Sequence, residues 1–92
     1  MNTANKKTEL KYYEIVSMIK NNEISSYELN LYTGELKYHL RSDEKTVKKY
    51  NVASPTIFVN DVSEFLAEHN AKNPDSQIKY DYKSGNEASW LL

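Results

Sequence analysis

The sequence predicts an α+β domain in which two helices pack on one face of a small antiparallel or mixed sheet of about four strands. Apolar residues recur at helical spacing over residues 12–21 and 55–70. Four other segments alternate apolar and polar residues, which is the period of a strand with one buried face. The order is helix, strand, strand, strand, helix, strand, without the regular alternation of strand and helix that a parallel sheet requires.

Length and composition indicate one soluble domain. The 92 residues, of which 39% are hydrophobic and 27% charged, suit a single small core. The formal net charge is −1 and the basic residues are dispersed, so we expect no nucleic-acid partner. The absence of cysteine excludes disulfides, zinc–thiolate sites and thiol catalysis. No apolar run reaches the ~20 residues of a membrane span.

Only a few residues separate the predicted first helix from the predicted first strand. An apolar stripe predicts a helix over residues 12–21: Tyr12, Ile15, Val16 and Ile19. Asn22 follows, and because asparagine tolerates the left-handed conformation in which helices often end, we expect a positive φ there. Alternation then predicts a strand over residues 24–32. Residues 1–9 are polar and aperiodic, which predicts a flexible leader.

Two more strands are predicted before the second helix. A turn at Thr33-Gly34 separates the first strand from a second over residues 35–41. A turn at residues 42–44 precedes a third strand over residues 45–52, in which Val47 and Val52 share a face only if a bulge intervenes. The basic run at residues 45–49 is typical of a charged edge strand that resists aggregation.

The second helix starts at Ser54-Pro55, since serine caps helix N-termini and proline fits the first helical position. It should extend over residues 55–70. A turn at residues 73–76 should lead into a last strand over residues 78–82. The sheet residues expected to pack on both helices are Leu29, Leu31, Leu36, Tyr38, Leu40, Ile78 and Tyr80.

Polar residues should line the opposite face of the sheet, where a partner protein can bind. The candidate interaction surface comprises Lys37, His39 and Arg41 on that face and Lys48 in the basic run. Eight tyrosines against two phenylalanines are unusual, and several fall in strand-like segments. We interpret these tyrosines first as half-buried rings that pack in the sheet, and second as a binding surface.

No pattern of residues predicts a reaction. His39 and His69 lie on different elements without a carboxylate at metal-ligand spacing, and we interpret His39 as a solvated side chain. Glu64 and Glu68 form an i, i+4 pair that is typical of a solvated helix face. The serines lack a Gly-x-Ser-x-Gly elbow, and two glycines are too few for a phosphate-binding loop. We expect a non-catalytic chain with no metal or cofactor site.

Several short motifs resemble those of FtsH-type membrane-anchored AAA zinc metalloproteases. The helix start Tyr12-Tyr13-Glu14-Ile15, the turn Asn22-Glu23-Ile24 and the strand Ile24-x-x-Tyr27-x-Leu29 are similar to that family's N-terminal signature. The family more commonly has serine, phenylalanine and glycine where this chain has Tyr13, Ile15 and Asn22, and often has Asp-Gly at the position of Asp43-Glu44. Asp81-x-x-x-Gly85 and Trp90-Leu91-Leu92 resemble the passage into its second transmembrane helix.

The resemblance implies an extracytoplasmic domain of a bacterial plasma-membrane protein, flanked by two membrane spans. Such a domain contributes to assembly of copies into a hexamer and to contacts with membrane-protein substrates or regulatory membrane proteins. Residues 10–83 would form the domain and residues 84–92 a tail toward the second span, with Trp90, Leu91 and Leu92 near the membrane. The zinc and ATP of such a protease belong to cytosolic domains absent from this chain, so no protease or ATPase residue is assigned.

Two other hypotheses stay open. The chain is alternatively a stand-alone small domain that binds a peptide or protein through its tyrosine-rich sheet. A third hypothesis is a minimal enzyme or metal site that uses His39.

Overall fold

The computed structural model describes residues 9–85, which form two helices and a four-stranded mixed sheet in the predicted order. The elements are α1 (Tyr12–Lys20), β1 (Ile24–Asn30), β2 (Glu35–Leu40), β3 (Asp43–Asn51), α2 (Pro55–Lys72) and β4 (Lys79–Lys83). The strand order is β3-β2-β1-β4, with β4 parallel to β1 and the other neighbours antiparallel. The predicted α+β class is confirmed. The predicted leader and membrane-proximal tail, with Trp90, Leu91 and Leu92, lie almost wholly outside the described residues.

The end of α1 has the predicted geometry. Asn22 has a φ of 62°, in the left-handed region. The N–H of Asn22 donates to the carbonyl of Ile19 at 3.0 Å, and the N–H of Glu23 donates to the carbonyl of Met18 at 2.9 Å. These two bonds form a Schellman motif, which satisfies carbonyls that the helix end would otherwise leave unpaired. The chain thereby reverses into β1 within three residues.

Cross-strand pairing gives the sheet one apolar and one polar face. Tyr27 lies opposite Tyr38, and these side chains point toward the helices. Glu28, one residue along, lies opposite Lys37 on the other face. Side chains of both helices and of the apolar face form one core: Ile15, Ile19, Ile24, Tyr27, Leu29, Leu36, Tyr38, Val52, Phe58, Val62, Leu66 and Ile78.

Two residues expected in the core are substantially exposed. Leu31 is 45% exposed because β1 ends at Asn30. The Asn30 side-chain oxygen accepts from the N–H groups of Tyr32 and Thr33 at 2.8 and 3.0 Å, which starts the turn one residue before Leu31 would continue the strand. Tyr80 is 41% exposed because it lies on β4, at the edge of the sheet.

β3 is an edge strand, as predicted, and contains a bulge. Leu40 pairs with Asp43 and Tyr38 pairs with Lys48, so residues 44–47 of β3 stand opposite a single residue of β2. Val47 lies within the bulge and is half-buried, and Val52, the residue that follows the strand, is buried in the core. The strand also begins at Asp43 and not at residue 45, because pairing continues directly from a two-residue turn.

α2 starts as predicted and runs two residues beyond the predicted end. The Ser54 side chain accepts from the N–H of Ile57 at 3.3 Å, and Pro55 takes the first helical position. Asn73 ends the helix by donating from its side chain to the carbonyl of His69 at 2.8 Å. The hydroxyl of Tyr12 donates to the Asp61 carboxylate at 2.7 Å and links α1 to the N-terminal half of α2.

The end of β4 and the start of α2 lie at the same end of the molecule. The Asn30 side chain donates to the carbonyl of Gly85 at 2.9 Å, which places Gly85 beside the β1–β2 turn. The N–H of Val52 donates to the carbonyl of Gly34 at 2.8 Å, so α2 also starts there. We call this the proximal end; the β2–β3 turn lies at the distal end.

Candidate functional site

The polar face of the sheet is the first candidate surface. Its residues are those that pair with one another away from the helices: Ser26, Glu28, Asn30, Glu35, Lys37, His39, Lys49, Asn51, Lys79, Asp81 and Lys83. Lys37 and His39, both predicted site residues, lie on this face of β2. Lys37 keeps part of its side chain in solvent, as an interaction surface requires. The face therefore joins two of the four predicted residues.

Glu28 lies at the centre of the polar face and was not predicted as a site residue. It is 1% exposed, and its carboxylate oxygen Oε1 lies 3.8 Å from the ammonium of Lys83. A buried carboxylate is costly unless it is paired, so this ion pair ties β4 to β1 across the parallel ladder. The alternation of β1 places Glu28 on the polar face, but only the position of β4 shows that it is buried against a lysine.

His39 is buried and hydrogen-bonded, so its interpretation as a solvated side chain is wrong. It is 8% exposed, and its Nδ1 lies 3.1 Å from the carbonyl oxygen of Thr46 in the bulge of β3. A carbonyl can only accept, so Nδ1 carries the proton in this bond. His39 thus holds the bulged segment of β3 against β2.

Arg41 does not lie on the polar face. It follows the last residue of β2 and reaches across the distal end of the molecule. Its Nε donates to the backbone and side-chain oxygens of Asn22 at 3.2 and 3.0 Å. One of its terminal nitrogens donates to the carbonyls of Ser76 and Gln77 at 3.0 and 3.2 Å. Arg41 joins the end of α1 to the segment that precedes β4, and this use of its guanidinium is structural.

Lys48 lies on the helix side of the sheet, opposite the buried Tyr38. There it lines a groove of about 840 Å³ between α1 and β3. Leu10, Met18 and Val47 also line this groove. The groove runs beside an edge strand with basic side chains. The predicted residues thus belong to three separate places: the polar face, the distal end and this groove.

Most of the strand tyrosines are used in packing. The ring of Tyr27 stacks on that of Tyr80 with centroids 5.5 Å apart and meets Phe58 edge-on at 5.6 Å. The hydroxyls of Tyr27 and Tyr82 lie 3.4 Å apart. Burial raises the pKa of the Tyr27 hydroxyl well above its ordinary value, and its hydrogen bond with Tyr82 raises it further. Within this cluster Tyr80 has the ring that a partner can reach.

Residues 9–85 contain no group of three or more metal-ligating side chains that could hold an ion. The second histidine, His69, has its Nε2 3.0 Å from the carbonyl oxygen of Ser76. In the same part of the chain, no helix is long and apolar enough to cross a membrane. The chemistry that the described surface offers is that of contacts: charged residues on the polar face and a partly apolar groove beside β3.

Comparisons of the chain with models of known protein families, with curated proteins and with solved structures found no match.

Proposed function

We propose that the chain is the extracytoplasmic domain of an FtsH-type membrane-anchored, ATP-dependent zinc metalloprotease of a bacterial plasma membrane. The observation that carries this proposal is the left-handed conformation of Asn22, at a position where glycine is usual in that family.

The local geometry at Asn22 supports the motif alignment on which the family assignment rests. In that family, glycine is usual at the aligned position. Asn22 has the positive φ that glycine adopts readily, and the Schellman bonds of the helix end are made around it. An aligned position without positive φ would have argued against the register.

The domain's role in this proposal is binding and not catalysis. Copies of the domain contribute to assembly of the hexamer, and its free surfaces recognise membrane-protein substrates or regulatory membrane proteins. Zinc and ATP are bound by the cytosolic domains of the parent protein. The candidates for these contacts are the half-buried Lys37 on the polar face and the exposed Lys48 beside the groove. Copies of the isolated domain should associate weakly, because the spans and cytosolic rings that raise its effective concentration are missing.

Sedimentation of the full-length protease with and without residues 10–83 tests the assembly role. A Gly/Ser linker of about 15 residues, with a mean span of about 21 Å, should join the two spans. We expect a hexamer for the intact protein and smaller species for the deletion. Retained ATPase activity would show that the cytosolic domains are folded. Hexamers that survive the deletion would contradict the assembly role.

The groove beside β3 favours one alternative function, a stand-alone domain that binds a peptide. An extended segment could add to the outer edge of β3 and place side chains in the groove. The nucleotide sequence of the gene after the codon for Leu92 distinguishes between the two proposed functions. A continuation into ~20 apolar residues is expected for the protease, and a stop codon for the stand-alone domain.

A further inference from the structure

The outer edge of β3 is open to an additional strand. In the described part of the chain, β3 pairs with β2 alone and lies at the edge of the sheet. The N–H of Val52 donates across to the residue that precedes β2, so in an antiparallel ladder Tyr50 and Lys48 also direct their backbone groups to β2. The N–H and carbonyl groups of Lys49 and Asn51 therefore point away from the sheet, where a further strand would lie.

The groove of about 840 Å³ between α1 and β3 borders this edge. Lys49 and Asn51 line the groove although their side chains lie on the polar face, so their outward backbone reaches it. Other lining residues are half-buried apolar residues that pack against the core: Leu10, Met18, Leu40 and Tyr50. A strand added to β3 would place alternate side chains in this groove while its backbone pairs with the edge.

Exposed lysines give the edge a positive charge. Three of them lie within five residues of β3: Lys45, Lys48 and Lys49. The ammonium of Lys49 lies 4.0 Å from the carboxylate of Glu35, in an exposed pair that contributes little energy. Of the described residues that line the groove, Glu9 is the one acidic residue. The edge should therefore attract acidic side chains.

The two acidic residues of β3 are separate from the stretch that borders the groove. Asp43 and Glu44 begin the strand beside the β2–β3 turn. The Asp43 carboxylate accepts a hydrogen bond from the side chain of Thr46 and others from backbone N–H groups, and these bonds hold the pKa of Asp43 below its usual value. Along residues 48–51 the charged residues are lysines only.

We propose that β3 and the groove bind an extended, acidic segment of a partner protein in which apolar and acidic residues alternate. Apolar side chains of the segment enter the groove, and its acidic side chains lie beside Lys49 on the polar face. Lys48, which lines the groove, adds to the attraction. This inference rests on the peptide-binding function proposed for the groove, and it names the chemistry of the partner.

Other occupants match the charge of the edge less well. Two copies of β3 paired at their outer edges would bring lysines close together, which is destabilising. Residues 1–8 contain two lysines and no acidic residue. Residues 86–92 contain one glutamate and end in Trp-Leu-Leu, so a deletion must test them as an alternative occupant.

Amide hydrogen exchange with peptide probes tests the binding. The acidic probe is a blocked peptide of about ten residues, the length of a long strand, in which valine and glutamate alternate. Two matched probes carry lysine or glutamine in place of glutamate. With the acidic probe at about ten times its dissociation constant, we expect exchange at the N–H groups of Lys49 and Asn51 to slow about tenfold. The N–H groups of Lys48 and Tyr50, which face β2, are the internal control and should change little.

Charge reversals test the preference for acidic segments. Lys48→Glu combined with Lys49→Glu should weaken binding of the acidic probe about tenfold, because two attractive charges become repulsive. Lys20→Glu combined with Lys72→Glu is the matched control, since both lysines are exposed and lie in the last turns of the helices. We expect the control to change binding by less than about threefold, because salt screens distant charges. Equal weakening by the two pairs would overturn the charge complementarity at β3.

The remaining outcomes separate this inference from the proposed functions. Equal protection by all three probes would overturn the acidic preference and leave peptide binding standing. Binding without protection of Lys49 and Asn51 would overturn strand addition, and no binding of any probe would contradict peptide binding altogether. Protection without a probe would show that the edge is already covered, and its loss on deletion of residues 86–92 would identify the tail as the occupant. The sedimentation experiment tests the assembly role whatever the probes show.

Discussion

Arg41 shows how far the pattern of a strand determines the role of one side chain. Alternation along residues 35–41 assigns Arg41 to the polar face, but the strand ends at Leu40. Beyond that residue the alternation no longer specifies which way a side chain points. The guanidinium of Arg41 donates to carbonyl oxygens at the distal end. Planar donors on a long side chain suit carbonyls that come from two different segments.

Replacing Arg41 should therefore affect stability more than binding. We expect Arg41→Ala to lower the free energy of unfolding by about 2 kcal/mol, because partly buried carbonyls lose charged donors. Arg41→Lys should recover less than half of this loss, since one ammonium cannot reach both segments. Urea unfolding measures the effect, with Lys37→Ala as a surface control expected within about 0.5 kcal/mol of the wild type. Equal effects of Arg41→Ala and Lys37→Ala would refute the structural role.

At the scale of elements, the β1–β2 connection depends on a glycine that the sequence places in a turn. Gly34 has a φ of 84°, and a Cβ added there would overlap the carbonyl oxygen of Val52, the residue that follows β3. At this close approach the N–H of Val52 donates to the carbonyl of Gly34. Gly85 has a similar φ of 68° but open space around it. A side chain at Gly85 would therefore meet only the strain of the positive φ, whereas a side chain at Gly34 would also overlap a neighbouring atom.

Alanine substitutions at these two glycines should have unequal effects. Gly85→Ala costs only the left-handed conformation, about 1 kcal/mol. Gly34→Ala adds the displacement of β3 from the turn, so we expect a loss of about 3 kcal/mol or more. Thermal unfolding followed by circular dichroism gives both values under the same conditions. If the two variants had the same midpoint, the close approach of Gly34 to Val52 would be unimportant for stability.

At the scale of the whole molecule, the tyrosines make stability depend on pH in the alkaline range. Burial raises the pKa of four tyrosine hydroxyls above the ordinary value: Tyr12, Tyr27, Tyr38 and Tyr82. The folded chain keeps these protons at pH values where the unfolded chain has lost them. Their stabilisation is therefore complete below pH ~10, the ordinary pKa of tyrosine, and is lost as the pH rises from there toward the raised values.

Tyr27→Phe should make this alkaline loss of stability shallower. Tyr27 is fully buried, so it alone contributes a slope of about 1.4 kcal/mol per pH unit above pH ~10. Urea unfolding at a series of pH values between 9 and 12, in steps of about half a unit, measures the slope. Tyr32→Phe is the matched control, because its ring is exposed. An unchanged slope in Tyr27→Phe would show that this hydroxyl ionises in the folded chain.

The sequence by itself determined the elements of this protein, because each element follows from local periodicity and end signals. Helical spacing predicted α1 and α2. Asn22 predicted the end of α1 and Ser54 the start of α2, and the basic run predicted an edge strand at β3. These features depend on residues a few positions apart, so the linear pattern contains them. The same pattern placed Lys37 and His39 on one face of β2.

Only the tertiary structure decided which elements are neighbours. The crossover through α2 brings β4 parallel to β1, and this pairing buries Glu28 against Lys83 from 55 residues away. It also places Gly85 beside the β1–β2 turn, and so creates the proximal end with its exposed Tyr32. Alternation specifies which way a side chain points but not what it meets, because the partner strand is selected by packing of the whole core.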